Sequence, residues 1–106
     1  MNLDDAFLAL ADPTRRGILA QLALGETTVL ELAKPFELSQ PSISRHIKVL
    51  ESAGLIARRI DGSKRPCRLV PEAMIEIDRW LDMLRKALSA NYDRLDQILA
   101  TLPPKK

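Results

Sequence analysis

The feature that most limits what this chain can become is its last third. Met74, Ile77, Leu81, Leu84, Leu88, Leu95, Ile98 and Leu102 follow one another at spacings that alternate between three and four, with Asn91 in the one remaining slot. This is the heptad seam of a helix that packs lengthwise against another helix. Trp80, Tyr92 and Leu99 widen its apolar face. A helix over residues 72–102 extends about 45 Å at 1.5 Å per residue, which is longer than a domain of this size is wide. Its far end outreaches a single small core, so the seam predicts a second copy of the chain as partner. The alternative is a stripe that packs only on its own domain.

The 106 residues are 46% apolar and 28% charged, a composition ordinary for a globular protein. A chain of this length buries roughly two-thirds of its surface, enough for one core. We therefore expect a single domain over residues 1–106, with 72–102 as its dimerisation helix. One cysteine allows neither an intramolecular disulfide nor a thiolate zinc site, and one histidine excludes a two-His site. No metal, cofactor or catalytic residue is expected. No apolar run is long enough to span a membrane. Met1-Asn2-Leu3-Asp4-Asp5 lacks the basic and apolar regions of a signal peptide. A cytoplasmic protein without a membrane partner is the expectation.

Charge is unevenly spread. Residues 39–68 carry seven basic side chains against two acidic ones, residues 1–38 carry three against six, and the remainder is balanced. A basic middle third is either a solvated surface or an electrostatic footprint for nucleic acid. The elements around it decide between these. A first helix covers Leu3 to Leu10, with Leu3, Phe7 and Leu10 as its stripe. Asp12-Pro13-Thr14 starts a second, with Asp12 as N-cap and Pro13 at the first helical position. That helix carries Ile18, Leu19 and Leu22 and should end at Gly25 in a left-handed cap. A short third helix begins near Thr28 and stops by Lys34, because Pro35 disfavours helical dihedrals in the residue before it.

The fourth helix is the best marked. Ser39 is its N-cap, Gln40-Pro41 its first turn, Ile43, Ile47 and Leu50 its buried stripe, and Gly54 its stop. At 100° per residue, Pro41, Arg45, Lys48 and Ser52 point away from Ile43, flanked by Ser44 and Ser42. This outer face is narrow, small and basic. A hairpin follows, with strands Leu55–Ile60 and Pro66–Val70 about an Asp61-Gly62 turn and with Lys64 and Arg65 at the tip. Pro66 belongs at a strand end or outer edge.

This order is that of a winged helix-turn-helix: mainly α, with a small β-hairpin and a long C-terminal dimerisation helix. The fourth helix fits a DNA major groove, and the hairpin brings Arg58, Arg59, Lys64 and Arg65 to neighbouring phosphates. The expected partner is double-stranded DNA.

Three stretches sharpen this reading: Ala11-Asp12-Pro13-Thr14-Arg15-Arg16 with Ile18-Leu19, the run from Leu38 to Leu50, and Ala53-Gly54-Leu55-Ile56. Together they resemble the ArsR-type family of bacterial winged-helix transcriptional repressors, over nearly the whole chain. Ala33-Lys34-Pro35-Phe36 and Pro66-Cys67-Arg68-Leu69 resemble a metal-independent branch of it. The resemblance implies a homodimer paired through its first and last helices and bound to a short inverted repeat. Leu3, Phe7, Ile77, Leu81, Leu84, Leu88, Asn91, Tyr92 and Leu95 would lie in the pairing surface. It also implies that Gln40, Ser42, Ser44 and Arg45 face DNA, and the helical wheel adds Lys48.

The chain departs from the metal-sensing members. Where these carry Cys-x-Cys in the third helix, it has Val29-Leu30-Glu31-Leu32-Ala33. Its last helix has the acids Asp78, Asp82 and Asp93 but no histidine. The usual signal input is missing and the effector is not readable. His46, at the edge of the buried stripe, reads as a packing and hydrogen-bonding residue, with a phosphate contact as the alternative. Cys67 reads as a small core residue, or as a redox-sensitive thiol beside Arg65 and Arg68. Two other functions compete with a DNA-binding repressor. A protein-interaction adaptor would show apolar groups on the fourth helix, and a Cys67–His46 hydrolase would need an orienting group that the sequence lacks.

Overall fold

The structure, a computed structural model, describes residues 1–101. Leu102 and the side chains of Tyr92 and Ile98 lie outside what it describes. The elements run α1 Leu3–Leu10, α2 Pro13–Leu22, α3 Val29–Ala33, α4 Gln40–Ser52, β1 Ile56–Arg58, β2 Cys67–Leu69 and α5 Pro71–Thr101. This is the mainly helical winged helix-turn-helix that the sequence predicts. The chain divides into two compact units, Met1–Met74 and Ile75–Lys106.

In the first unit the helix starts are chemical. Asn2 Oδ1 accepts from the amides of Asp4 and Asp5, Asp12 Oδ2 from that of Arg15 at 3.0 Å, and Ser39 Oγ from that of Ser42 at 3.3 Å. Each cap satisfies an otherwise unpaired amide and stabilises its helix by about 1 kcal/mol. The other end of α1 is closed from outside. α1 has no basic residue in its own last turn. Instead Arg15 Nε donates to the Ala9 carbonyl at 2.7 Å, Arg15 Nη2 to that of Leu8, and Arg16 Nη1 to that of Leu10 at 2.8 Å. Two cations thus sit at the negative end of the helix dipole, and the Asp-Pro-Thr-Arg-Arg run joins α2 to α1 by hydrogen bonds.

The core is built around α4. Ile43, Ile47 and Leu50 are fully buried where α4 packs on α2, α3, β1 and α1, and Ile18, Leu22, Leu32, Leu55, Ile56 and Cys67 are buried in the same unit. On α1 the buried residues are Ala6 and Ala9, while Leu3, Phe7 and Leu10 are half-buried. The alanines lie roughly 65° and 125° around the helix from the centre of that larger stripe, and with small side chains α1 seats closely on its neighbours.

Three local expectations are corrected. α2 ends at Leu22 with Ala23 still in right-handed dihedrals, and Gly25 takes φ +146°, beyond the left-handed cap expected of it. Lys34 keeps helical dihedrals (φ −57°, ψ −47°) despite Pro35, although α3 does stop at Ala33. The hairpin turns on Gly62-Ser63, one residue later than expected. Asp61 and Lys64 exchange both backbone bonds around that pair, and Gly62 alone has positive φ, +63°, the signature of a type II′ turn.

The strands are also shorter than the six and five residues the apolar pattern suggested. Ile56 faces Leu69, Ala57 faces Arg68 and Arg58 faces Cys67. The next hydrogen-bonded pair is Arg59 and Pro66. Arg59 donates to the Pro66 carbonyl at 3.1 Å, but Pro66 has no N–H to return the bond. The ladder lapses there and resumes in the same register at Asp61 and Lys64. On its other edge Cys67 exchanges backbone bonds with Thr27, at 2.7 and 3.1 Å, which ties the hairpin to the segment before α3.

The second unit is α5 beyond Met74. Ile77 is buried, as is Ala73 at the end of the first unit, whereas Leu81, Leu84, Leu88, Leu95 and Leu99 are between 38% and 56% exposed. Asp82 pairs with Lys86 at 2.9 Å and Asp78 with Arg85 at 3.4 Å. Among the described residues no helix is long and apolar enough to cross a membrane.

Candidate nucleic-acid interface

With its apolar stripe buried, α4 presents Gln40, Pro41, Arg45, Lys48 and Ser52 to solvent, with Ser42 and Ser44 half-buried at the flanks. Its N-terminal turn organises these side chains. Ser39 Oγ lies 3.0 Å from Ser42 Oγ, and Arg45 Nη2 donates to the same Ser42 oxygen at 3.2 Å. A hydroxyl that accepts twice keeps its own proton to donate. Ser42 thereby holds the Arg45 guanidinium beside the helix start.

Gln40 and Ser44 line one wall of a cleft of about 470 Å³, with Arg58, Lys64 and Arg65 on the hairpin side. The structure thus gathers residues from two separate stretches of the sequence, α4 and the hairpin. Thr28, Val29, Leu30 and Glu31 at the start of α3, and Ser63 in the hairpin turn, complete the lining; Glu31, its one acid, is paired with Lys34 at 3.0 Å, and sequence reasoning did not single these residues out for this role. The signal that could have found them is the Thr28 cap, whose hydroxyl accepts from the Glu31 amide at 3.4 Å. It turns Leu30, 59% exposed, outward. Arg45 and Lys48 lie on the α1 side of the outer face of α4, beside Leu8 and Val49.

The cations of this region divide into two sets. Arg58 is half-buried, and its Nε lies 3.3 Å from Glu51 Oε2 without hydrogen-bond alignment. Arg59 lies outside the cleft lining and donates through Nε and Nη2 to Glu26 Oε1, at 2.9 and 2.6 Å. The Arg59 guanidinium holds the Glu26 carboxyl below its ordinary range, and Glu26 in turn raises Arg59. In contrast, Lys48 and Lys64 make no side-chain hydrogen bond or ion pair among the described residues, and neither does the Gln40 amide. Arg45 bonds only Ser42, and Arg65 only the carbonyls of Gly62 and Lys64. Arg45, Lys48, Lys64 and Arg65 therefore keep their charge uncompensated.

His46 belongs to the framework. Arg15 Nη1 sits 3.3 Å from its Nδ1, with Asp12 Oδ2 3.9 Å from the same nitrogen. A guanidinium can only donate, so Nδ1 accepts and the ring proton is assigned to Nε2. Cys67 is fully buried, and burial pushes its thiol up from the ordinary value. That disfavours the thiolate, the form both a nucleophile and a redox sensor need. Among the described residues, no group of three His, Cys, Asp or Glu side chains could hold a metal ion.

Residues 10–59 match a family model described as a helix-turn-helix domain. An HTH-type transcriptional regulator of Mycobacterium tuberculosis is 38% identical over 92 residues, covering 87% of this chain and 86% of the relative. An arsenical resistance operon repressor of Staphylococcus xylosus is 36% identical over 83 residues, 78% of this chain and 80% of that protein. The crystal structure of an ArsR family transcriptional regulator superposes with a TM-score of 0.76 at 40% identity, covering 82% of this chain and 96% of that one. The chain belongs to the ArsR-type family of winged helix-turn-helix transcriptional repressors, which bind DNA rather than catalyse a reaction.

Proposed function

We propose that this regulator works as a homodimer and represses by binding a specific inverted-repeat DNA site. In this reading Gln40, Ser42, Ser44 and Arg45 meet base edges, and Lys48, Lys64 and Arg65 meet phosphates. The observation that carries it is the contrast in charge. Arg45, Lys48, Lys64 and Arg65 have no acid partner, whereas Arg58 and Arg59 are held by Glu51 and Glu26. Uncompensated cations around an exposed helix of small residues suit a phosphate-lined groove. Arg58 and Arg59 then act mainly by holding the wing. The pairing surface is the exposed seam of α5, Leu81, Leu84, Leu88, Asn91 and Leu95 with Tyr92, joined by Leu3 and Phe7 of α1; Ile77, expected in it from the sequence, is already buried within its own chain. DNA binding needs no metal.

The test separates base reading from anchoring. A site is first selected from a random duplex pool, and binding to it and to a scrambled duplex is titrated across salt concentrations. Arg45→Ala should cost about 1–3 kcal/mol on the selected site and little on the scrambled one. Lys64→Ala with Arg65→Ala should weaken both DNAs alike and lower the salt slope by about 0.9 per charge removed. Equal losses from both variants on both DNAs would make Arg45 an anchor only.

A further inference from the structure

A second concavity lies wholly within the first unit, between α1 and the outer face of α4. It is an open groove of about 770 Å³, a volume within the range of small-molecule sites. Its floor is apolar: Leu8, 69% exposed, and Val49, 42% exposed, with Ala9 and Ala53 beneath. Its rim is cationic: Arg15, Arg45 and Lys48 stand against a single acid, Asp5. Arg15 is partly spent on α1 carbonyls, but Lys48 has no partner among the described residues and Arg45 has only Ser42. Apolar side chains open to water beneath unneutralised cations suit a ligand with an apolar body and one anionic head. A second copy of this surface is a poor occupant, because self-packing would bring its three cations against their equivalents.

We propose that this groove binds a small amphiphilic anion, a carboxylate or sulfonate on an alkyl or aryl body, and that occupancy withdraws Arg45 and Lys48 from DNA. The apolar body covers Leu8 and Val49, and the head meets Lys48 and Arg45. The chain would then have a signal input independent of metal, built on the residues that hold the operator. The second half of the proposal rests on the placement of Arg45 and Lys48 at DNA.

The probe is 8-anilinonaphthalene-1-sulfonate, with decanoate and decan-1-ol as competitors of equal chain length. Fluorescence titration of the full chain without DNA should show saturable binding that decanoate displaces and decanol does not. Leu8→Gln removes apolar floor from an exposed position without changing charge, and should weaken probe binding about tenfold. Lys48→Gln should weaken displacement by decanoate, with decanol still without effect. Equal displacement by decanol, or unchanged binding in Leu8→Gln, would place the probe elsewhere, such as on the apolar face of α5, and overturn the site. In a second arm, decanoate should release selected-site DNA from the wild type at concentrations that leave the Leu8→Gln complex intact. Saturable, Leu8-dependent binding without release would keep the groove and overturn the placement of Arg45 and Lys48 on DNA.

Discussion

At the scale of single residues, Gly54 and Cys67 show how position overrides type. Gly54 ends α4 with φ +80°. Its amide bonds the Glu51 carbonyl and the Leu55 amide bonds that of Leu50, both at 3.0 Å. This is a Schellman closure, with Leu50 and Leu55 both buried. A Cβ at Gly54 would meet Met1 no closer than 3.7 Å, so the cost of Gly54→Ala is backbone strain rather than collision. It should destabilise by about 1–2 kcal/mol, read as a lower urea midpoint at constant m-value. Cys67 is the opposite case: basic neighbours in the sequence suggest reactivity, but burial removes it. Its reaction with an aromatic disulfide reagent should follow the global unfolding rate and accelerate in proportion when urea speeds unfolding.

At the scale of elements, the wing is held to the helical body by a backbone exchange and by ion pairs, of which Arg58 with Glu51 is the looser and Arg59 with Glu26 the hydrogen-bonded one. Thr27 and Cys67 provide the exchange. The Glu26 carboxyl lies below its ordinary value of 4.5, chiefly through the Arg59 hydrogen bond. A carboxyl whose folded-state value is depressed contributes stability that is complete above the ordinary value and fades as pH falls through the lowered one. Glu26→Gln should therefore be less stable than wild type at neutral pH, and the gap in urea midpoint should close as the pH falls below the ordinary carboxylate value and through the lowered one. A gap that stays constant with pH would show that the pair adds nothing beyond its neutral hydrogen bonds. Because the pair is exposed, added salt should narrow the gap as well.

At the scale of the whole molecule, the open question is what covers the α5 seam. Leu84 and Leu88 are 43% and 52% exposed, a costly arrangement for apolar side chains repeated along a helix. In the homodimer proposed here they meet their equivalents, and Asn91 pairs across the two-fold axis and sets register. The double change Leu84→Asp with Leu88→Asp should shift sedimentation at micromolar concentration from dimer to monomer or unfolded chain. A monomeric wild type at that concentration would refute the pairing. Loss of dimerisation should also reduce operator affinity far more than affinity for a single half-site, since the two halves would no longer be linked.

What the sequence determined by itself is whatever depends on neighbours along the chain. The caps at Asp12, Thr28 and Ser39, the buried stripe of α4, the stop at Gly54 and the span of α5 all rest on contacts within a few residues, so local chemistry suffices. The outer face of α4 follows for the same reason, since 100° per residue converts spacing into direction. What only the tertiary structure decided involves residues on different elements. Arg15 and Arg16 close α1 from α2, Thr27 pairs with Cys67 forty positions away, and Arg58 and Arg59 lose their free charge to Glu51 and Glu26. The gathering of Gln40 and Ser44 with Thr28, Leu30, Lys64 and Arg65 around one cleft is of this kind, as is the groove floored by Leu8 and Val49. Helical periodicity says which way a side chain points; which acid neutralises it, or which element it meets, depends on how the helices pack.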